Sequence, residues 1–198
     1  MQLEGKVALV TGGARGLGCS MALAYAREGA DVAIVARTPS ELEAVGSEIR
    51  ALGRRAHTVN AELTTSDGAN RAALETISEL GKIDILVNNA GPDPLGYGPG
   101  HYRRGMAMVM ESNLTTTFMA CKAVLPHMIE RSSGVIVNLT SKNVARRGRA
   151  GQAAYAASKA AVERLSESLA DEVKDFGIAV NILETGRKPW LGREGFRQ

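Results

Sequence analysis

Tyr155 and Lys159 stand four residues apart in AAYAASKAAVERLSESLADEV, a stretch whose small and apolar residues predict a helix. On a helix that spacing puts both side chains on one face. A lone phenol releases its proton near pH 10, but an ammonium about one turn away favours the phenolate and draws the titration toward neutrality. The pair then works as a general acid or base, able to protonate a carbonyl oxygen or to take the proton back from an alcohol.

Such a pair needs a scaffold, and the chain supplies a regular one. Short aliphatic or β-branched runs (KVALVT, DVAIVA, RAHTV, IDILVN, GVIVNLT, IAVNIL) alternate with longer amphipathic segments. This rhythm predicts an α/β fold: a doubly wound parallel sheet of the Rossmann type, with helices on both faces. There is no internal repeat and no linker. The one long Gly/Pro-rich loop, GPDPLGYGPGHYRRG from Gly91 to Gly105, follows a predicted strand at the sheet's carboxyl edge, where open α/β sheets bind ligands.

Between the first strand and the first helix lies TGGARGLG, Thr11 to Gly18, with Gly12, Gly16 and Gly18 forming the pattern TGxxxGxG; Gly13, Ala14, Arg15 and Leu17 complete the loop. Glycine permits the turn, close approach of a ligand to the backbone, and close packing of helix on sheet. The helix amino terminus beyond it offers free N–H groups and a positive dipole end to a pyrophosphate. An ordinary glycine turn does not explain three such glycines before a parallel strand. At the end of the second strand a carboxylate would bind adenosine ribose hydroxyls and repel a 2′-phosphate, but the chain has Ala36-Arg37 there. Arg37 with Arg15 either makes a guanidinium clamp suited to that phosphate or is, at one or both residues, simply solvated; on the clamp, NADP(H) is expected in preference to NAD(H).

Bulk composition excludes other classes. The 198 residues, 44% of them hydrophobic, support one domain. The net charge of +3 resides in the last dozen residues, which hold Arg187, Lys188, Arg193 and Arg197 against Glu194; without them acids and bases balance at 20 each. No nucleic-acid surface is expected. No apolar run approaches the ~18 residues of a membrane span, and no signal peptide is evident. Cys19 and Cys121 lie far apart, and His57, His101 and His127 are scattered, which argues for no metal site and for a reducing, cytoplasmic compartment.

Taken together, TGGARGLG, NNAG at Asn88 to Gly91, Asn113 in SNLTTTF, Ser141 in IVNLTSK and YAASK at Tyr155 to Lys159 resemble the short-chain dehydrogenase/reductase family, in its single-domain branch. The likeness runs from about Gly5 to Gly186, and GQAAYAASKA and NNAG are most similar to 3-oxoacyl-carrier-protein reductases and related carbonyl reductases. The resemblance implies interconversion of a ketone and a secondary alcohol by hydride transfer. Within it, Tyr155 delivers the proton, while Lys159 lowers the phenol's pKa and binds the nicotinamide ribose. Ser141 polarises the carbonyl, and Asn113 holds a relay water. Asn89, Ala90 and Gly91 line the cofactor near the adenine ribose, and Glu62-Leu63 sit by the adenine where the family usually has Asp followed by an aliphatic residue.

On residue type alone, Asn113 also fits a backbone partner at a helix bend, Ser141 a strand-end cap, and Asn88 a stitch between strands. Ser141 precedes Tyr155 by fourteen residues, one more than the family's usual interval, and Thr140 is the alternative hydroxyl. Arg103, Arg104, Arg146, Arg147 and Arg149 form either a hydrated loop surface or a basic rim for an anionic or carrier-bound substrate.

After IAVNIL the resemblance stops at ETGRKPWLGREGFRQ, where Thr185 replaces an expected proline and no strand or helix period continues. The chain therefore divides into a catalytic domain over 1–186 and an irregular basic tail over 187–198. The family's last strand is expected to be missing, leaving IAVNIL as an uncovered apolar edge. A homodimer through the helices carrying Asn113 and Tyr155 is expected. The competing expectation is a shortened, catalytically inactive relative that still binds dinucleotide.

Overall fold

Five consecutive residues, Val7–Thr11, are buried, as only a strand covered on both faces allows. In the computed structural model, which describes residues 1–91, 105–141, 145 and 151–185, this strand, β1, lies inside a six-stranded parallel sheet. The others are β2 (Asp31–Ala36), β3 (Ala56–Asn60), β4 (Ile85–Asn88), β5 (Gly134–Ser141) and β6 (Ile178–Thr185), in the order β3-β2-β1-β4-β5-β6. The order reverses between β1 and β4, which makes a crevice at their carboxyl ends.

Alternation along the strands divides the core in two. Ala8, Val10, Val32, Ile34, Val87 and Leu139 face α1 (Gly16–Arg27) and α2 (Pro39–Ala51). Val7, Leu9, Ala33, Val35, Leu86 and Ile136 face α3 (Ser66–Leu80), α5 (Thr116–Glu130) and α6 (Ala153–Val173). Each large aliphatic side chain so enclosed contributes about 1.5–3 kcal/mol. A short α4 (Gly105–Met110) runs through a π-helical turn, Glu111–Thr115, into α5.

Buried carboxylates fasten the starting ends of the strands. Asp84, just before β4, accepts hydrogen bonds from Val7 N at 2.9 Å and Arg131 Nη2 at 2.9 Å, with Lys82 Nζ at 3.0 Å. Burial pushes its carboxyl up, but the bonds from Arg131, Val7 and Lys82 together hold it below the usual range. Asp31, opening β2, is likewise gripped by Arg55 and Arg54.

All six expected strands are present; β2 matches its expected run, and the other five shift at one or both ends by one or two residues. β3 spans Ala56–Asn60, one residue later than RAHTV. β6 runs two residues past IAVNIL because Glu184 and Thr185 still pair with Thr140 and Ser141, and Thr185 Oγ1 donates to Thr140 O at 2.9 Å. Among the described residues β6 pairs with β5 alone, and Ile182 and Leu183 are exposed. No helix among the described residues is long and apolar enough to cross a membrane.

Candidate active site

The glycine loop closes the carboxyl end of β1, and its shape explains its composition. Gly12 and Gly16 have φ of +63° and +59°, the left-handed region that favours glycine. Gly13 and Gly18 serve by lacking a side chain: a Cβ on Gly13 would come within 2.6 Å of Ile34 Cγ2, and one on Gly18 within 2.2 Å of Gly12 O. A Cβ on Gly16 would meet nothing, so open space begins there. Arg15 is the N-cap of α1 in extended backbone with no side-chain cap bond, which leaves the helix's first N–H groups for an anion. Ala14 is buried, so it offers only backbone to a ligand, and Leu17 is half-buried against the core.

Because Gly12 O cannot retreat without moving β1, Gly18→Ala should destabilise the fold by about 2 kcal/mol or more and weaken dinucleotide binding. Chemical denaturation and a nucleotide titration check this; an unchanged midpoint would contradict the contact.

Thr11, a residue the sequence reading left without a role, ties this loop to NNAG. Its Oγ1 accepts from Asn89 N and Ala90 N, both at 3.0 Å, while Asn89 Nδ2 donates to Thr11 O at 3.0 Å and Gly12 O at 3.2 Å. Asn89 thus holds the cradle with its side chain. Neighbouring Asn88 is the stitch that residue type allowed: its Nδ2 donates to Asn138 Oδ1 at 2.9 Å, and Asn138 Nδ2 to Ser166 Oγ at 2.8 Å, joining β4, β5 and α6.

At the end of β2, Arg37 reaches toward Glu62, with Nη1 3.5 Å from Oε2 and both side chains exposed, rather than standing alone beside Arg15. An exposed pair at that distance contributes about 0–1 kcal/mol. Leu63 is buried in the core, so its side chain is turned from any ligand.

The expected Tyr155–Lys159 pair lies where β5 ends and α6 begins. Tyr155 and Lys159 are both buried, and Lys159 Nζ sits 5.7 Å from the centre of the Tyr155 ring. Nζ donates to Leu139 O at 3.0 Å, which pins α6 to the last residues of β5. Burial draws the lysine down from 10.5 to about 8. An ammonium so desolvated gains strongly from a nearby negative charge, and a phenolate supplies one.

Asn113 sits in the π-helical turn, buried, with Nδ2 donating to Val109 O and Ser158 Oγ, each at 3.2 Å. Its backbone pairing at the bend is therefore real, but it uses only the amide nitrogen; Oδ1 is shielded from solvent and has no partner among the described residues. A Cβ on Gly91 would lie 2.4 Å from that oxygen. Ser141 is the last residue of β5 and half-buried, whereas Thr140 is buried with its Oγ1 unpartnered among the described residues. Arg103, Arg104, Arg146, Arg147 and Arg149, His101 and the tail 187–198 lie outside the described residues. Among the described residues no group of three His, Cys, Asp or Glu could hold a metal. Burial pushes the Cys121 thiol up to about 12, which disfavours its reactive thiolate form.

With a Gly-rich cradle at a β1/β4 switch point and a Tyr-Lys pair on one helix, the arrangement is that of a dinucleotide-dependent enzyme fold, and the short chain dehydrogenase family model matches residues 6–187. The chain belongs to that family. It is 42% identical over 161 residues to an uncharacterized oxidoreductase of Mycobacterium tuberculosis, covering 81% of this chain and 61% of that relative. It is 38% identical over 182 residues to a 3-oxoacyl-[acyl-carrier-protein] reductase of Staphylococcus epidermidis, covering 91% and 74%. The NAD+-bound crystal structure of a xylitol dehydrogenase superposes with a TM-score of 0.86 at 32% identity, covering 94% of this chain and 72% of that one. The chain thus spans about three fifths of the mycobacterial relative's length.

Proposed function

We propose that this chain is the dinucleotide-binding and catalytic unit of an NADP(H)-dependent oxidoreductase that interconverts a ketone and a secondary alcohol. The observation that carries the reading is the buried Tyr155–Lys159 pair, pinned through Leu139 O to the same sheet edge that holds the glycine cradle. The residues fit a nicotinamide dinucleotide: the uncapped start of α1 and the open side of Gly16 suit its pyrophosphate, and Asn89, Ala90, Gly91, Glu62 and the backbone of Leu63 border the adenosine end. When bound, that cofactor supplies or accepts the hydride. Tyr155 gives its hydroxyl proton to the carbonyl oxygen in reduction and withdraws it in oxidation. Lys159 stabilises the phenolate so formed. Ser141 orients the carbonyl, with Thr140, one residue inward, as the alternative hydroxyl.

The preference for NADP(H) rests on Arg37. Its loose bond to Glu62 is weak enough for a 2′-phosphate to displace, whereas a charge-assisted bond to phosphate is worth about 1.5–3 kcal/mol. Arg37→Asp should therefore lower the NADPH:NADH ratio of kcat/KM by about 10- to 100-fold. Steady-state rates with the two cofactors decide this, and a constant ratio rejects the clamp.

The substrate reading is a small carbonyl or alcohol, anionic or carrier-bound if the loop arginines form its rim. A homodimer is favoured by a groove of Leu114, Thr115, Phe118, Ala161 and Leu165 on the helices beside Asn113 and Tyr155, with Phe118 exposed. The direct test follows NADPH absorbance with diketones, β-ketoesters and acyl thioesters. A folded preparation that binds NADPH and turns over none of them would favour the passive dinucleotide binder instead.

A further inference from the structure

Asn113 and Ser158 meet between two helices in a layer without solvent, each at most 1% exposed. Their hydrogen bonds permit one assignment only. A carbonyl accepts and never donates, so the single Ser158 hydroxyl proton goes to Tyr155 O, 2.8 Å away. Toward Asn113 the serine is then an acceptor. Val109 O is an acceptor as well, so the carboxamide atom facing both must be Nδ2, with one proton for each at 3.2 Å. Turning the amide over would set its oxygen against two acceptors at once. Oδ1 is thereby held on the opposite side, shielded from solvent, without a partner among the described residues, and toward Gly91, where even one methyl carbon would lie 2.4 Å away. A buried carbonyl without a donor is unfavourable, so this position calls for one.

We propose that Ser158 is a positioning residue that locks the Asn113 carboxamide with its oxygen toward Gly91, a fixed acceptor for an O–H or N–H donor on the Gly91 side. The lock links two helices through one hydroxyl whose proton is committed within its own helix. It rests on the oxidoreductase reading for its consequence in turnover, but not for its geometry.

The experiment has two arms on the full chain. In the first, the Asn113 side-chain amide protons are followed by 15N NMR hydrogen exchange without cofactor. They should be protected in the wild type, and exchange at least about tenfold faster in Ser158→Ala with the melting temperature measured alongside. If the alanine variant does not fold, Ser158→Cys keeps the volume with a weak acceptor and should show the same loosening. Unchanged exchange in a folded variant overturns the lock. In the second arm, Ser158→Ala should lower kcat about tenfold in the wild-type background and less than about twofold in Asn113→Ala, because the serine acts through the asparagine. Equal losses in both backgrounds, or none in the first, overturn the proposal. Absence of turnover in the wild type would instead count against the oxidoreductase reading, and the exchange arm alone would then decide the lock.

Discussion

Tyr155→Phe should abolish measurable turnover, a loss of about 10²- to 10⁴-fold, while NADPH affinity stays within about twofold. The substitution removes one oxygen and leaves a ring of the same shape in a buried cluster with Val109, Ala154 and Ala156. No cavity opens, so stability should change by no more than the loss of one hydrogen bond, about 0.5–1.5 kcal/mol. Steady-state kinetics and a fluorescence titration with NADPH separate the effects. Activity equal to wild type in the phenylalanine variant would show that another group supplies the proton.

The second large effect pairs lost activity with gained stability. In Lys159→Met, turnover and cofactor affinity should both fall, the former by about 10²-fold or more, while the fold becomes more stable near neutral pH. The reason is the buried ammonium, whose titration is drawn from 10.5 down to about 8 by desolvation. In the unfolded chain the same group protonates at its ordinary value. As pH falls from 10.5 to 8 the unfolded state takes up a proton that the folded state does not, and this costs the fold roughly 3 kcal/mol, constant below about pH 8. Methionine removes that cost but leaves Leu139 O without its donor, a penalty of about 1 kcal/mol or more. A net gain of about 1–2 kcal/mol follows, some 2–8 °C in melting temperature for a chain of this size. The gain should shrink as pH rises from 8 toward 10.5. A variant less stable than wild type at pH 7 would mean that the ammonium is compensated in the fold.

Much of this architecture was legible because the signals were local. DVAIVA reads as a buried parallel strand and forms β2 from Asp31 to Ala36 without adjustment; the three glycines of the TGxxxGxG pattern each answer a need that their spacing announces, a positive φ at Gly12 and Gly16 and the absence of a side chain at Gly18. Asn88 could be read as a stitch because a polar residue closing an apolar strand needs a partner somewhere. What escaped depended on residues distant in sequence. Thr11 looks like an ordinary strand end until Asn89 and Ala90, almost eighty residues away, deliver their N–H groups to it. Ser158 reads as one more small helical residue, and nothing in SNLTTTF marks the π-helical turn that brings Asn113 to it. The Arg37–Glu62 contact spans 25 positions and qualifies an arginine the sequence presented as unopposed. Glu184 and Thr185 continue β6 because β5 offers them a ladder, although their own side chains carry no strand period.

The polar rivets at Asp31 and Asp84 occupy the rim where strands begin, and every group assigned to chemistry occupies the rim where strands finish. Such segregation makes the molecule modular along its strand axis. Loops at the reactive rim can be exchanged for longer, shorter or differently charged ones without disturbing the clamps that gather the chain, so a change of substrate need not be a change of scaffold.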